Sequence, residues 1–293
     1  MLTFKEIELS DKKLVDSYFK TSGFMGCEYT FSNLFIWRSN YKTSIAEDMG
    51  LLTVKYEIDG QCYFLMPAGN GDIKGLLTEL IEESKKKSCK LVLSGLTTDS
   101  IKRLEALMPD AFRYEPFRDG FDYIYESEQL INLTGSKNQS KRNHINKFES
   151  LYGKNCYENI TKESLPQCKE TYYKWAAEHG EDDLKSEYKA FKDALNHFEE
   201  LGLKGGLLRV DGEVCAFALG TELSKDVFVV HIEKGLTDHP GVYPTINREF
   251  VKNNCTAYRY INREEDMGIE GLRKSKLSYH PAILLEKHNA YLK

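Results

Sequence analysis

The chain has 293 residues, of which 41% are hydrophobic and 12% aromatic, and its formal net charge is −5. That length is near the point where one core splits, so two domains are expected, and the apolar content is enough to fill both. The negative balance excludes a general nucleic-acid coat, and no window approaches the roughly 18 apolar residues a membrane-spanning helix needs. The opening MLTFKEIELSDKK has acids where a signal peptide needs an uninterrupted apolar run. The seven cysteines are scattered without a C-x-x-C pair. Both features predict a cytoplasmic protein with reduced, packed thiols.

In chain order, G-F-M-G-C-E-Y-T-F-S-N-L-F-I-W (23–37) comes first, with five aromatics in fifteen residues. Such density suits a core; the alternative is that Tyr29 or Asn33 reaches a site. LLTVKYEI-DG-QCYFLMPAG predicts a hairpin about Asp59-Gly60. Residues 71–87 follow as a helix with Asp72 at its N-cap and Ile73, Leu76, Leu77, Leu80 and Ile81 on one face. KLVLSGL reads as a buried strand, TTDSIKRLEAL as a short helix, and FRYEPFRDGFDYIYE as strands around Asp119-Gly120. Polar LINLTGSKNQS marks a domain boundary, giving domains 1–135 and 136–293.

A helical block over 136–200 opens the second half. LKGGLLRV-DG-EVCAFALGTEL is again a hairpin, VFVVHIEKG a third strand, YPTINREFVKNN a helix, AYRYIN a strand, GIEGLRKSKLSY a helix and AILLEKHNAYL a closing strand. Each half therefore repeats one α/β order. The predicted sheets are mixed, mainly antiparallel and flanked by helices. A sheet of this kind can splay between its middle strands and expose backbone amides beside the next helix N-terminus, a ready anion site.

Three blocks carry candidate chemistry. In INREEDMGIEGLRKSKLSYHP (261–281), Glu264, Glu265 and Asp266 precede a helix predicted over 268–279. At 100° per residue Ile269, Leu272 and Leu277 define its inward arc, and Lys276 and Arg273 fall within that arc. Cations on an apolar face must be paired or line a cavity. The block is thus either an ion-pair lock between strand and helix or one wall of a cleft. K-R-N-H-I-N-K-F (141–148) offers Lys141, Arg142 and Lys147 for phosphate, or simply a solvated basic face. His231, in VFVVHIEKG, is either a satisfied core histidine or a cleft residue. No G-x-S-x-G elbow, Walker loop, H-E-x-x-H or paired Cys/His metal spacing is present.

The element order of each half resembles the GNAT (acyl-CoA N-acyltransferase) fold used twice. E-Y-T-F-S-N-L-F-I-W, K-R-N-H-I-N-K-F and N-R-E-E-D-M-G-I-E-G-L-R-K-S-K-L-S-Y-H-P resemble the family of the phosphatidylglycerol lysyltransferase C-terminal domain, with R-N-x-I-x-K also similar to Fem-type aminoacyltransferases. The resemblance implies an acyltransferase or aminoacyltransferase with its site in the second domain. It would move an aminoacyl group from aminoacyl-tRNA, or an acyl group from a thioester, to an amine or hydroxyl. No cofactor would be tightly bound, since aminoacyl-tRNA or acyl-CoA is the donor substrate. The implied partners are a tRNA acceptor end and a small-molecule or lipid-headgroup acceptor, and not DNA. Under that reading Glu265, Asp266, Arg273 and Lys276 are catalytic. Lys141, Arg142, Lys147, Tyr243, Asn247, Asn262, Tyr279, His231, Tyr29 and Asn33 bind substrate or phosphate, and no metal is implied. The chain lacks the Q/R-x-x-G-x-G/A pyrophosphate loop of coenzyme A enzymes. The alternatives are an acyl-CoA-dependent small-molecule N-acetyltransferase and a catalytically degenerate ligand-binding protein.

Overall fold

The computed structural model describes residues 2–86, 90–179 and 184–293. In chain order these form β1 (Lys5–Glu6), α1 (Lys12–Phe19), α2 (Phe31–Tyr41), β2 (Ser44–Asp48), β3 (Leu51–Ile58), β4 (Gln61–Leu65), β5 (Ala68–Gly69), α3 (Ile73–Lys86), β6 (Val92–Leu96), α4 (Thr98–Leu107), β7 (Phe112–Pro116) and β8 (Asp122–Glu126). There follow α5 (Ser127–Asn132), α6 (Gln139–Tyr152), β9 (Tyr157–Asn159), α7 (Leu165–His179), α8 (Leu184–Asn196), β10 (Lys204–Val210), β11 (Glu213–Glu222), β12 (Val227–Gly235), α9 (Val242–Asn254), β13 (Tyr260–Asn262), α10 (Glu270–Leu277), β14 (Ile283–Leu285) and β15 (His288–Leu292).

Two compact units result. One comprises Met1–Tyr123, Glu264–Lys274 and Leu284–Lys293, the other Ile124–Arg263 and Ser275–Ile283. The units therefore differ from contiguous domains 1–135 and 136–293. Local polarity marks a loop, whereas a unit is defined by pairing between segments remote in sequence.

In the first unit the sheet runs β1-β2-β3-β4-β6-β15-β7, with β5 beside β3. Asp59 and Gly60 turn the β3–β4 hairpin with φ of 49° and 78°, the left-handed geometry that matches strand twist. Asp72 caps α3 by accepting from the Gly75 N–H at 3.0 Å, and Thr97 caps α4 by accepting from the Ser100 N–H at 3.3 Å. Leu76, Leu77 and Leu80 of α3 and Leu104 of α4 pack in one core with Leu93 of β6 and Phe112 of β7. The closing stretch AILLEKHNAYL is two strands, not one. Its second part, β15, lies antiparallel between β6 and β7, so the chain end completes the first sheet. Strands β7 and β8, read as flanking Asp119-Gly120, belong to different sheets. The aromatic stretch at 23–37 is core: Tyr29 is 2% exposed and stacks on Phe24 at 4.0 Å.

In the second unit the sheet order is β8-β13-β12-β11-β10-β9, with β14 beyond β8. Asp211 and Gly212, with φ of 51° and 87°, turn the β10–β11 hairpin. Ile246, Phe250 and Val251 of α9 are buried, as are Ile145 and Phe148 of α6. The described cysteines are all free; Cys89 lies outside the described residues. No described helix is long and apolar enough to cross a membrane.

Candidate functional site

The opening in the second unit follows from unequal strand lengths. Strand β12 pairs in parallel with β13 only through Val227–Tyr260, Phe228–Ile261 and Val229–Asn262. Strand β13 then ends, while β12 continues to Gly235. Beyond Asn262 the two strands part, and the residues at the opening are polar. The continuing part of β12 carries a bulge: Val230 pairs with Gly220 and Ile232 with Leu219, so His231 is the extra residue. Bulges next to sites re-aim side chains. Here the His231 Nε2 lies 2.8 Å from the Thr221 hydroxyl.

Arg263, the first residue after β13, spans the opening. Its Nη2 donates to Glu233 Oε1 at 2.8 Å. The other oxygen of Glu233 accepts from Asn247 Nδ2 of α9 at 3.0 Å. Burial opposes the Arg263 charge, but Glu233 outweighs it and holds the guanidinium's pKa up. Two polar atoms of this trio remain buried without a hydrogen-bond partner, Arg263 Nη1 and Asn247 Oδ1. The guanidinium lies 5.0 Å from the Tyr279 ring centroid, and Lys141 Nζ of α6 sits over the same ring at 4.1 Å. Burial, then the Arg263 charge, pushes the Lys141 amine down. Lys276, 7% exposed, donates to the Arg263 carbonyl at 2.7 Å. Tyr125 Oη in turn donates to the Lys276 carbonyl at 2.8 Å. Three cations, Lys141, Arg263 and Lys276, thus share the opening with the Glu233 carboxylate, a balance that suits an anionic ligand.

Of the residues singled out from sequence, Lys141, Asn247, Tyr279 and Lys276 meet in this cluster. Asn262 is fully buried at the end of β13. Tyr243 accepts from the Trp175 indole N–H at 3.0 Å. Lys147 is exposed on α6. Arg142 spends its guanidinium on the chain itself, donating to the carbonyls of Leu133 and Gly135 and to Gln139. It clamps the turn before α6 and does not present a fork to phosphate.

Glu265, Asp266, Arg273, Tyr29 and Asn33 belong to the first unit, and Lys276 to the second, so the four catalytic candidates are divided between the two units. In the first unit Asp266, 0% exposed, accepts from Arg273 Nε (2.9 Å) and Nη2 (2.8 Å), Arg118 Nη1 (3.0 Å), Tyr123 Oη (2.6 Å) and the Gly268 N–H (2.9 Å). Burial opposes its charge, yet Arg273, Tyr123, Gly268 and Arg118 together hold the carboxyl far below the usual range. Such a carboxylate is a poor proton acceptor and a good anchor. Asn33 donates to Glu264 at 3.1 Å. Glu265 lies 3.6 Å from the Cys27 thiol.

The inward arc expected for the last helix is also corrected. Ile269 and Leu277 are 53% and 43% exposed, while Lys276 is the buried residue of α10. Its ammonium is satisfied by the Arg263 carbonyl, which makes burial of the charge tolerable.

Glu233 and Arg263 were not among the sequence candidates. Glu233 breaks the apolar run of VFVVHIEKG, and Arg263 follows directly on a strand, which were the available signals. Lys287 was missed as well. In the first unit its ammonium binds Glu28 at 2.7 Å and Asp122 at 2.8 Å. Cys27, Glu28 and Asp122 bring ligand-type atoms within 4.8 Å of one another. Lys287 lies against both carboxylates, one ammonium between two acids, and burial pushes the Glu28 carboxyl up.

Two mixed sheets flanked by helices, with β12 and β13 of the second sheet parting after three paired residues, make up a tandem GNAT-like α/β fold, which is shared with the crystal structure of FemX, 10% identical with a TM-score of 0.58. The family described as "Phosphatidylglycerol lysyltransferase, C-terminal" matches residues 19–291, and the chain belongs to it. The crystal structure of a conserved protein of unknown function from Bacteroides thetaiotaomicron VPI-5482 is 39% identical, covers 100% of both chains and superposes with a TM-score of 0.96. The C-terminal domain of a putative lysylphosphatidylglycerol synthetase from Agrobacterium fabrum is 12% identical, with 98% of this chain and 93% of that one covered and a TM-score of 0.68. An uncharacterized protein of Mycoplasmoides gallisepticum is 24% identical over 171 residues, 57% of this chain. The matched part spans about half, 54%, of that relative's length.

Proposed function

We propose that the protein is an aminoacyltransferase that takes an aminoacyl group from the acceptor end of a charged tRNA and gives it to an amine or hydroxyl of a small molecule or lipid headgroup. The observation that carries this reading is the parting of β12 and β13, with Arg263, Lys141 and Lys276 set around it. Lys141 has no carboxylate partner among the described residues and faces the Arg263 charge, so a phosphate of the acceptor end relieves the repulsion between them. Family membership supports the same class of reaction.

One feature favours tRNA over coenzyme A as the carrier. Gly241, at the N-cap of α9, has a φ of 88°, and a Cβ built there would lie 2.1 Å from the His144 carbonyl of α6. The preceding turn is also closed on itself, with the His239 N–H on Leu236 O and the Val242 N–H on His239 O. A turn packed in this way is ill suited to wrap a pyrophosphate.

The test is thermal unfolding with a mixed aminoacyl-tRNA pool and, separately, with acetyl-CoA. A donor at about 100 times its Kd adds roughly 2.7 kcal/mol of stability, which raises the midpoint by about 5 °C. The expected result is a rise with tRNA, lost at high salt and weakened about tenfold in affinity by Lys141→Met. A rise with acetyl-CoA alone would replace this reading by the small-molecule N-acetyltransferase. No rise with either would leave a ligand-binding protein without this chemistry.

A further inference from the structure

We infer that the first unit holds a second ligand site, for an organic ammonium ion, where β4 parts from β6. The site lies wholly within the first unit and does not rest on the transferase reading.

Strands β4 and β6 repeat the arrangement of β12 and β13. They pair in parallel only through Tyr63–Val92, Phe64–Leu93 and Leu65–Ser94; β4 then ends, and β6 goes on to Leu96. Gly95, the first residue of β6 past the pairing, has a φ of 69°, and a Cβ built there would lie 2.5 Å from Glu28 Oε1. The Glu28 carboxylate therefore fills the place of a side chain at the parting. Its Oε2 accepts from Lys287 Nζ at 2.7 Å, whereas Oε1 is buried without a hydrogen-bond partner. Tyr29 is 2% exposed, and its Oη is in the same state. That oxygen lies by the Met66 amide, just past the end of β4, but outside hydrogen-bond geometry. The parting thus brings together two buried oxygens with no donor to answer them.

Charge says what they accept. Four carboxylates, Glu28, Asp122, Glu264 and Glu265, act on the Cys27 thiol, three of them from 3.6 Å, or, for Glu264, through its charge. Lys287 sets one ammonium against them. A second cation beside Glu28 offsets the burial that pushes its carboxyl up. A metal ion is shut out of the group formed by Cys27, Glu28 and Asp122, because Lys287 Nζ stands against all three, 3.7 Å from the sulfur. The wall is aromatic. The Tyr41 and Tyr56 ring centroids are 6.2 Å apart, and Tyr41 is 39% exposed while its hydroxyl feels the Glu265 and Glu264 charges. Tyr41 therefore runs from the surface to the acids and marks the entry. Acids at the bottom and ring faces at the side suit an alkylammonium, whose N–H groups donate to the oxygens while its charge and carbons lie on the rings. Because Glu28 Oε1 bonds nothing where it lies, turning it toward an entering ammonium gives up no hydrogen bond.

The experiment is isothermal titration of the full chain at low salt with butylammonium, tetramethylammonium and magnesium chlorides. Butylammonium is expected to bind saturably. Tetramethylammonium, which has the charge but no N–H, should bind about tenfold more weakly, and Glu28→Gln should weaken butylammonium by about the same factor. Tyr29→Phe removes the second acceptor and should lower the affinity severalfold while leaving the melting midpoint unchanged or higher, since it deletes a buried hydroxyl that has no partner. That variant carries the test if Glu28→Gln, which also touches Lys287, fails to fold. Flotation with vesicles of an ethanolamine phospholipid separates two sources of the ammonium: capture lost in the folded variants assigns a headgroup, and no capture assigns a free amine. The inference is overturned by no saturable binding of butylammonium, by equal binding of tetramethylammonium, or by an affinity unchanged in the folded variants. Magnesium bound in place of butylammonium would overturn it in favour of a metal site. None of these outcomes touches the transfer reading, which stands on the second unit.

Discussion

Three charged side chains in the stretch 261–281 have separate fates. Asp266 and Arg273 close on each other in the first unit, whereas Lys276 turns to the Arg263 carbonyl in the second. Asp266 accepts from so many donors that it is best regarded as a fastener, and Asp266→Asn is expected to lower stability by about 2–3 kcal/mol at neutral pH. The pH dependence has a definite sign. A carboxyl held below its unfolded value of about 3.9 contributes above that pH and loses its contribution as pH falls through the lower folded value. Urea titrations should therefore show a constant gap between wild type and variant above about pH 5, narrowing below about pH 4. Transfer activity per folded molecule should be unchanged. A variant that kept its stability and lost activity would return Asp266 to a proton-handling role.

At the scale of elements, hairpins and amphipathic helices were legible because they are local. Asp-Gly pairs between apolar runs gave both tight hairpins, and Asp72 was readable as the cap of α3. The phase of α10 was not, since a helix of 8 residues has too few apolar positions to fix a face, and its buried lysine is satisfied by a carbonyl remote in sequence. Arg142 misled for a similar reason: basic residues in a row say nothing of the carbonyls around them. Gly241 isolates one packing effect within the second unit. Gly212 has the same sign of φ, 87°, and no heavy atom within 4 Å of a built Cβ. Gly212→Ala should therefore cost only backbone strain, about 1 kcal/mol. Gly241→Ala adds the clash with the His144 carbonyl and should cost about 2–4 kcal/mol. Urea midpoints of the two variants measure the difference; equal values would mean that α6 gives way easily at this contact.

For the molecule as a whole, the repeated order of elements was visible in the sequence, but the membership of each unit was not. Strand partners far apart in the chain leave no local pattern, and β15 shows this most plainly. Its hydrogen bonds go to Val92–Leu96 on one side and Phe112–Pro116 on the other. The same segment supplies Lys287, the partner of the fully buried Asp122. Deleting residues 284–293 should therefore do more than trim an end: it opens β6 and β7 along their lengths and strands a buried carboxylate. Two variants separate these effects. Lys287→Met keeps the strand and removes the charge, at an expected cost of about 3–5 kcal/mol. The deletion should go further and abolish the cooperative unfolding of the first unit, leaving its backbone amides open to hydrogen exchange while those of β10–β12 in the second stay protected. If the truncated chain exchanged like the intact one in both units, β15 would be a dispensable edge and the first sheet would be complete without it.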